Sequence, residues 1–148
     1  MSRIHSLTRN RTVRSAAAGM TAAAVWVAAE PAWRRLFRGP HQEIRLVGRL
    51  VAPESAWKPV GWAVHLANGA AFGVAFNRLG GNGMASAVAA AQLENAVLWP
   101  LMAGVDRIHP DVRDGTWPRL VRNRRALAQE VAGHAVFGLV LGLLSPRE

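Results

Sequence analysis

The chain has no cysteine and no tyrosine, a single lysine (Lys58) and only nine acidic residues. Without cysteine there are no disulfides, no thiolate metal sites and no thiol nucleophile. With so few acids, 148 residues carry a formal net charge of +9, which invites a nucleic-acid reading. The distribution of charge argues against that reading. The arginines gather at the ends of apolar stretches, where they would face lipid headgroups, so nucleic acid is not expected as a partner. Nucleotide fingerprints are missing too: Gly80-Gly81-Asn82-Gly83 is a turn rather than a phosphate cradle. Ser2, Ser6, Ser15, Ser55, Ser86 and Ser145 have no catalytic motif around them. No catalytic residue, cofactor or metal is assigned, and an enzyme is not expected.

What is abundant is apolar surface: 51% of residues are hydrophobic, yet mean hydropathy is only +0.10 because arginines separate the runs. Four runs stand out, at about 15–33, 59–76, 83–105 and 126–144. Each has the length a helix needs to cross a hydrocarbon core of roughly 30 Å. A helix in a soluble bundle would carry a polar stripe along its length. Between Pro59 and Phe76 the strongly polar side chains are only His65 and Asn68, and between Val131 and Leu144 only His134. The expectation is therefore an all-α, single-domain, four-helix transmembrane bundle, multi-pass in a bacterial plasma (inner) membrane, with the lipid bilayer as its first partner. Val27-Ala28-Ala29 resembles a signal-peptide cleavage site, but Arg34, Arg35 and Arg38 follow at once and oppose translocation. The first run is read as a retained helix.

The connections refine this picture. Asn77 to Asn82 is a short Gly-rich turn, expected to make the second and third helices an antiparallel hairpin. In the first long link Ile44, Val47 and Val51 share a helical face, which suggests an amphipathic helix on the membrane surface. In the second, Thr116-Trp117-Pro118 reads as a helix start, and Arg107-x-His109-Pro110-Asp111 as a solvated segment. The two long links hold twelve of the 18 basic residues, so the positive-inside rule puts them in the cytoplasm and both termini outside.

Two motifs lie inside the runs. The second helix carries His65-x3-Gly69-x3-Gly73 and the fourth His134-x3-Gly138-x3-Gly142, which suggests two repeated helical hairpins. Fourfold spacing puts Gly69 and Gly73, and likewise Gly138 and Gly142, on one stripe where backbones can approach, within the bundle or in a homo-oligomer. Glu30, His65, Glu94, Glu130 and His134 fall at overlapping depths near the long-link side and form a candidate intramembrane polar layer. Charged groups there are costly unless paired, so they are expected to face inward. Such a layer could fix helix register by hydrogen bonds, carry protons or a small solute, or hold a metal or haem. The leading expectation is a structural protein or accessory to a membrane complex; the alternatives are a small transporter or proton-linked channel, and a metal- or haem-binding membrane protein.

On the histidines and glycines of the two motifs, the chain resembles the small, uncharacterised YagU-like bacterial inner-membrane proteins. The resemblance implies a short helical membrane protein and no catalytic residues.

Overall fold

The computed structural model describes residues 2–146, with side chains from residue 10 onward. The order is α1 (Ser2–Phe37), α2 (Glu43–Val51), α3 (Trp57–Arg78), α4 (Gly83–Leu98), a 3-10 turn (Trp99–Leu101), α5 (Met102–Ile108), α6 (Pro110–Arg113) and α7 (Arg124–Leu144). No strand occurs among the described residues. The chain is an all-helical bundle, as expected.

Local chemistry sets the boundaries. Arg38 leaves α1 with φ +50°, and Gly80 and Gly83 (φ +78° and +72°) make the tight turn into α4. Pro100 has no N–H to donate, and the third apolar run, expected to be continuous over 83–105, breaks there into a 3-10 turn. Asn123 caps α7 by accepting from the backbone N–H groups of Arg125 and Ala126. The expected helix start at Thr116-Trp117-Pro118 is thus displaced to Asn123. The intervening segment is instead held by Asp106, whose carboxylate accepts from the N–H of Leu120 (2.8 Å) and of Val121 (3.1 Å).

Packing pairs the helices in a particular way. α7 lies against both α1 and α4, α3 also packs on α1, and α2 covers α3. α3 and α4 are joined by the turn but make no comparable contact, so they are not the packed hairpin expected from their short connection. The pairs that do pack, α1 with α3 and α4 with α7, are built alike. A Cβ on Gly69 would lie 2.6 Å from both the Gly19 carbonyl oxygen and the Ala23 Cβ; one on Gly73 would lie 3.0 Å from the Gly19 nitrogen. Correspondingly, a Cβ on Gly138 or Gly142 would lie 2.5 Å from the Cα of Val88 or Met84. Both backbones come so close that no side chain fits between them. Ala18, Ala22, Trp26, Ala87, Ala91, Phe137 and Leu141 fill the core around these contacts.

The outward surface of the long helices is uncharged over most of its length. No charged side chain is exposed over 15–32, 59–77, 83–98 or 126–144. Val25, Val64, Leu93, Val97, Leu139 and Leu143 are exposed instead. By length and composition only α7 among the described helices is long and apolar enough to cross a membrane. α4 stops at 16 residues, and α1 and α3 are rich in alanine and glycine. α2 is helical as expected, but it buries Ile44, Leu46 and Gly48 against the bundle and leaves Val51 exposed. Its apolar face is therefore not the predicted one.

The glycine contacts make a direct prediction. Gly69→Val or Gly142→Val must force its helix pair apart, at a cost of about 1–3 kcal/mol or more. The thermal midpoint of helix loss in detergent should fall clearly for both. Gly104→Ala, with nothing within 4 Å of its Cβ position, should leave it unchanged. Equal midpoints in all three would contradict the close-approach assignment.

Candidate functional site

His65 and His134 each lie one helical turn ahead of a contact glycine, so the same register that fits the backbones together fixes both imidazoles. They flank Trp26, with ring centroids 5.3 and 4.5 Å from the indole. His65 Nε2 lies 3.2 Å from the Ala23 carbonyl and His134 Nδ1 2.9 Å from the Glu130 carbonyl. A carbonyl only accepts, so these nitrogens carry protons and donate. The remaining nitrogens then face carboxylates: His65 Nδ1 is 3.3 Å from Glu43, and His134 Nε2 is 3.9 Å from Glu94.

The centre of the site comes from the first long link. His41 is almost fully buried, and its Nε2 lies 3.1 Å from Glu43 and 2.5 Å from Glu130. Its N–H donates to the Gln129 side chain (3.2 Å), whose amide in turn reaches the His41 carbonyl. The Trp117 ring stacks on the imidazole, and the Trp117 indole N–H donates to the Pro40 carbonyl (3.0 Å). Glu30 fixes the next residues by accepting the Glu43 N–H (2.8 Å), which caps the start of α2. The result is a continuous series of side chains, Glu94, His134, Glu130, His41, Glu43 and His65. One donor atom from each of His41, Glu43 and Glu130 lies within 4.8 Å of the others.

Burial and charge compete here. Burial alone would lower the His41 pKa, but the adjacent Glu130 charge and the contacts with Glu130 and Glu43 push it up to about 10. Burial would raise Glu43, yet the hydrogen bonds and charges of His41 and His65 win and hold it below the usual carboxylate range. The series lines a cavity of about 190 Å³ whose walls come from α1, α2, α3, α4, α5 and α7. Asn68, Phe72, Asn95, Leu98 and Met102 line its remaining walls.

Of the five residues expected to form the polar layer, His65, Glu94, Glu130 and His134 do line this cavity. Glu30 does not; it serves as the cap of α2. His41 and Glu43 were missed because their segment carries no apolar period. The one available signal was Gly39-Pro40-His41-Gln42-Glu43, with imidazole and carboxylate two apart, directly before an apolar face. The second link also departs from expectation. His109 and Asp111 are buried rather than solvated, with Asp111 held by Arg45 (2.5 Å) and Arg49 (3.1 Å). Burial pushes the His109 imidazole down.

In class, then, this is an all-helical bundle with a cluster of carboxylates and imidazoles inside it. No protein-family model, curated protein or solved structure matches the chain.

The Asp111 cluster sets a pH dependence. Burial would raise this carboxyl, but hydrogen bonds from Arg45 and Arg49 outweigh it and lower the pKa. A carboxyl lowered on folding contributes stability above its unfolded value near 3.9 and loses it as pH falls through the folded value. Melts in detergent should hold their midpoint down to about pH 4 and decline below it. Asp111→Asn should cost about 1–3 kcal/mol at neutral pH and flatten that acid decline. An unaltered decline would assign it to other groups.

Proposed function

We propose that the protein is a four-span, multi-pass membrane protein of the bacterial plasma membrane that binds and passes a small cation through its Glu/His cavity. The observation that carries this reading is the series of ionisable side chains from Glu94 to His65 that lines one cavity. Three carboxylates at that depth favour a cation over an anion, and ionisable groups inside a membrane bundle ordinarily mark a solute or ion path. The absence of exposed charge over 15–32, 59–77, 83–98 and 126–144 supports placement in lipid. So does the cleft on the link side lined by Arg107, Arg113, Arg119 and Arg122, which suits anionic headgroups. With these arginines in the cytoplasm, the termini lie outside. The matching helix contacts agree with two repeated hairpin units, α1 with α3 and α4 with α7, and the likeness to YagU-like proteins fits the same picture.

A second reading has its own support. His65 and His134 each bond a backbone carbonyl, as register pins do, and α4 turns Leu93 and Val97 outward to where a second copy or a complex partner could pack. This is the structural or accessory protein.

Two experiments decide. Alkaline carbonate should leave the protein in the membrane pellet, and recovery in the soluble fraction would overturn its placement in lipid. Proteoliposomes should swell faster than empty vesicles in isosmotic salts of small cations, followed by light scattering. Glu94→Gln should return swelling to the empty-vesicle rate with helical content intact. Swelling no faster than empty vesicles in the wild type, together with lost assembly in His134→Ala, would favour the structural reading.

A further inference from the structure

We propose that His41, Glu43 and Glu130 bind one first-row divalent transition-metal ion, with its remaining coordination positions turned to the cavity. The inference rests on the reading of that cavity as a cation site and names the cation's class.

Geometry comes first. Donors at about 2.0–2.2 Å from a common ion lie roughly 3 Å from one another. His41 Nε2 is 3.1 Å from Glu43 Oε2 and 2.5 Å from Glu130 Oε1, so a small outward shift of Glu130 makes room for an ion among the three. The donors come from three separate elements: the link after α1, the first turn of α2, and α7. Nothing in local sequence brings them together; the fold does.

An independent observation points to a missing partner. Glu130 is buried, and its Oε1 meets only the His41 ring nitrogen, in an ion pair that lacks hydrogen-bond geometry. Buried carboxylate oxygens are ordinarily satisfied, and a cation at this position would satisfy it. The supporting residues are those a metal centre requires. Gln129 clamps the His41 backbone, Trp117 stacks on its ring, His65 braces the far oxygen of Glu43 at 3.3 Å, and Glu30 fixes the Glu43 N–H.

The donor set narrows the ion. One imidazole and two carboxylates, with no thiolate anywhere in the chain, suit manganese, iron(II) or zinc better than copper(I). Calcium and magnesium prefer all-oxygen shells. A comparison within the molecule sharpens this. The second long link repeats the pattern as His109-x-Asp111, but there Arg45 and Arg49 already occupy the carboxylate. The same residue pair is thus neutralised by guanidinium in one link and left open to a cation in the other.

The test uses the full chain purified in detergent and stripped with EDTA. Titration with Mn²⁺, read by electron paramagnetic resonance, and with Zn²⁺, read by calorimetry, should give one equivalent per chain. Glu43→Gln and Glu130→Gln should each weaken binding at least tenfold with helical circular dichroism unchanged. The exposed Glu54→Gln should bind as the wild type does. If one carboxylate variant loses its helical signal, the other decides. Absence of saturable binding of either ion, or undiminished binding in a folded carboxylate variant, overturns the site. Vesicles loaded with calcein separate this inference from the transport reading. Binding without Mn²⁺ entry leaves the metal site standing and overturns transport. Swelling in monovalent-cation salts without divalent binding does the reverse.

Discussion

Backbone-to-backbone contact at glycine is the constraint from which the rest of the molecule follows. Where α1 crosses α3 and α4 crosses α7, the chains are closer than any side chain allows, so sliding either helix by a residue would drive a Cβ into a carbonyl or a Cα. Register is therefore fixed by sterics rather than by polar bonds. Because His65 and His134 stand one turn from those glycines, fixing the register also fixes the imidazoles against Trp26. Packing and chemistry share one set of coordinates.

The second element of the design is the treatment of buried charge. The two long links solve the same problem differently. Asp111 is matched by two arginines reaching across from α2. Glu43 and Glu130 are matched by imidazoles that leave room at the cavity. Guanidinium is a permanent charge and closes its site; an imidazolium can give up its proton to a competing cation. The link that uses arginine braces the structure, and the link that uses histidine faces the cavity.

Much of this was legible in the sequence. The long helices follow from the apolar runs, the close contacts from His-x3-Gly-x3-Gly, and four of the six cavity groups from ionisable residues at matching depth. What was not legible has physical causes. His41 lies in a non-periodic link, and only Gln129 and Trp117, distant in sequence, bring it inside. Glu30 sits at a depth that suggested the polar layer, yet the free N–H of α2 claims its carboxylate first. The α3–α4 turn is short enough for a packed hairpin, but the glycines direct α3 to α1 and α4 to α7. Connection length limits which helices can meet; surface shape selects which ones do.

The position of α7 has a consequence for how the molecule is made. α1 and α3 can find each other as soon as both have left the ribosome, since their contact needs nothing further along the chain. Among the described helices α4 has no long partner except α7, which is synthesised after it. During synthesis, then, α4 waits unpaired with Glu94, and Glu43 waits without Glu130. The cavity is completed by α7, so a chain interrupted before that helix would lack Glu130, His134 and the partner of α4 together.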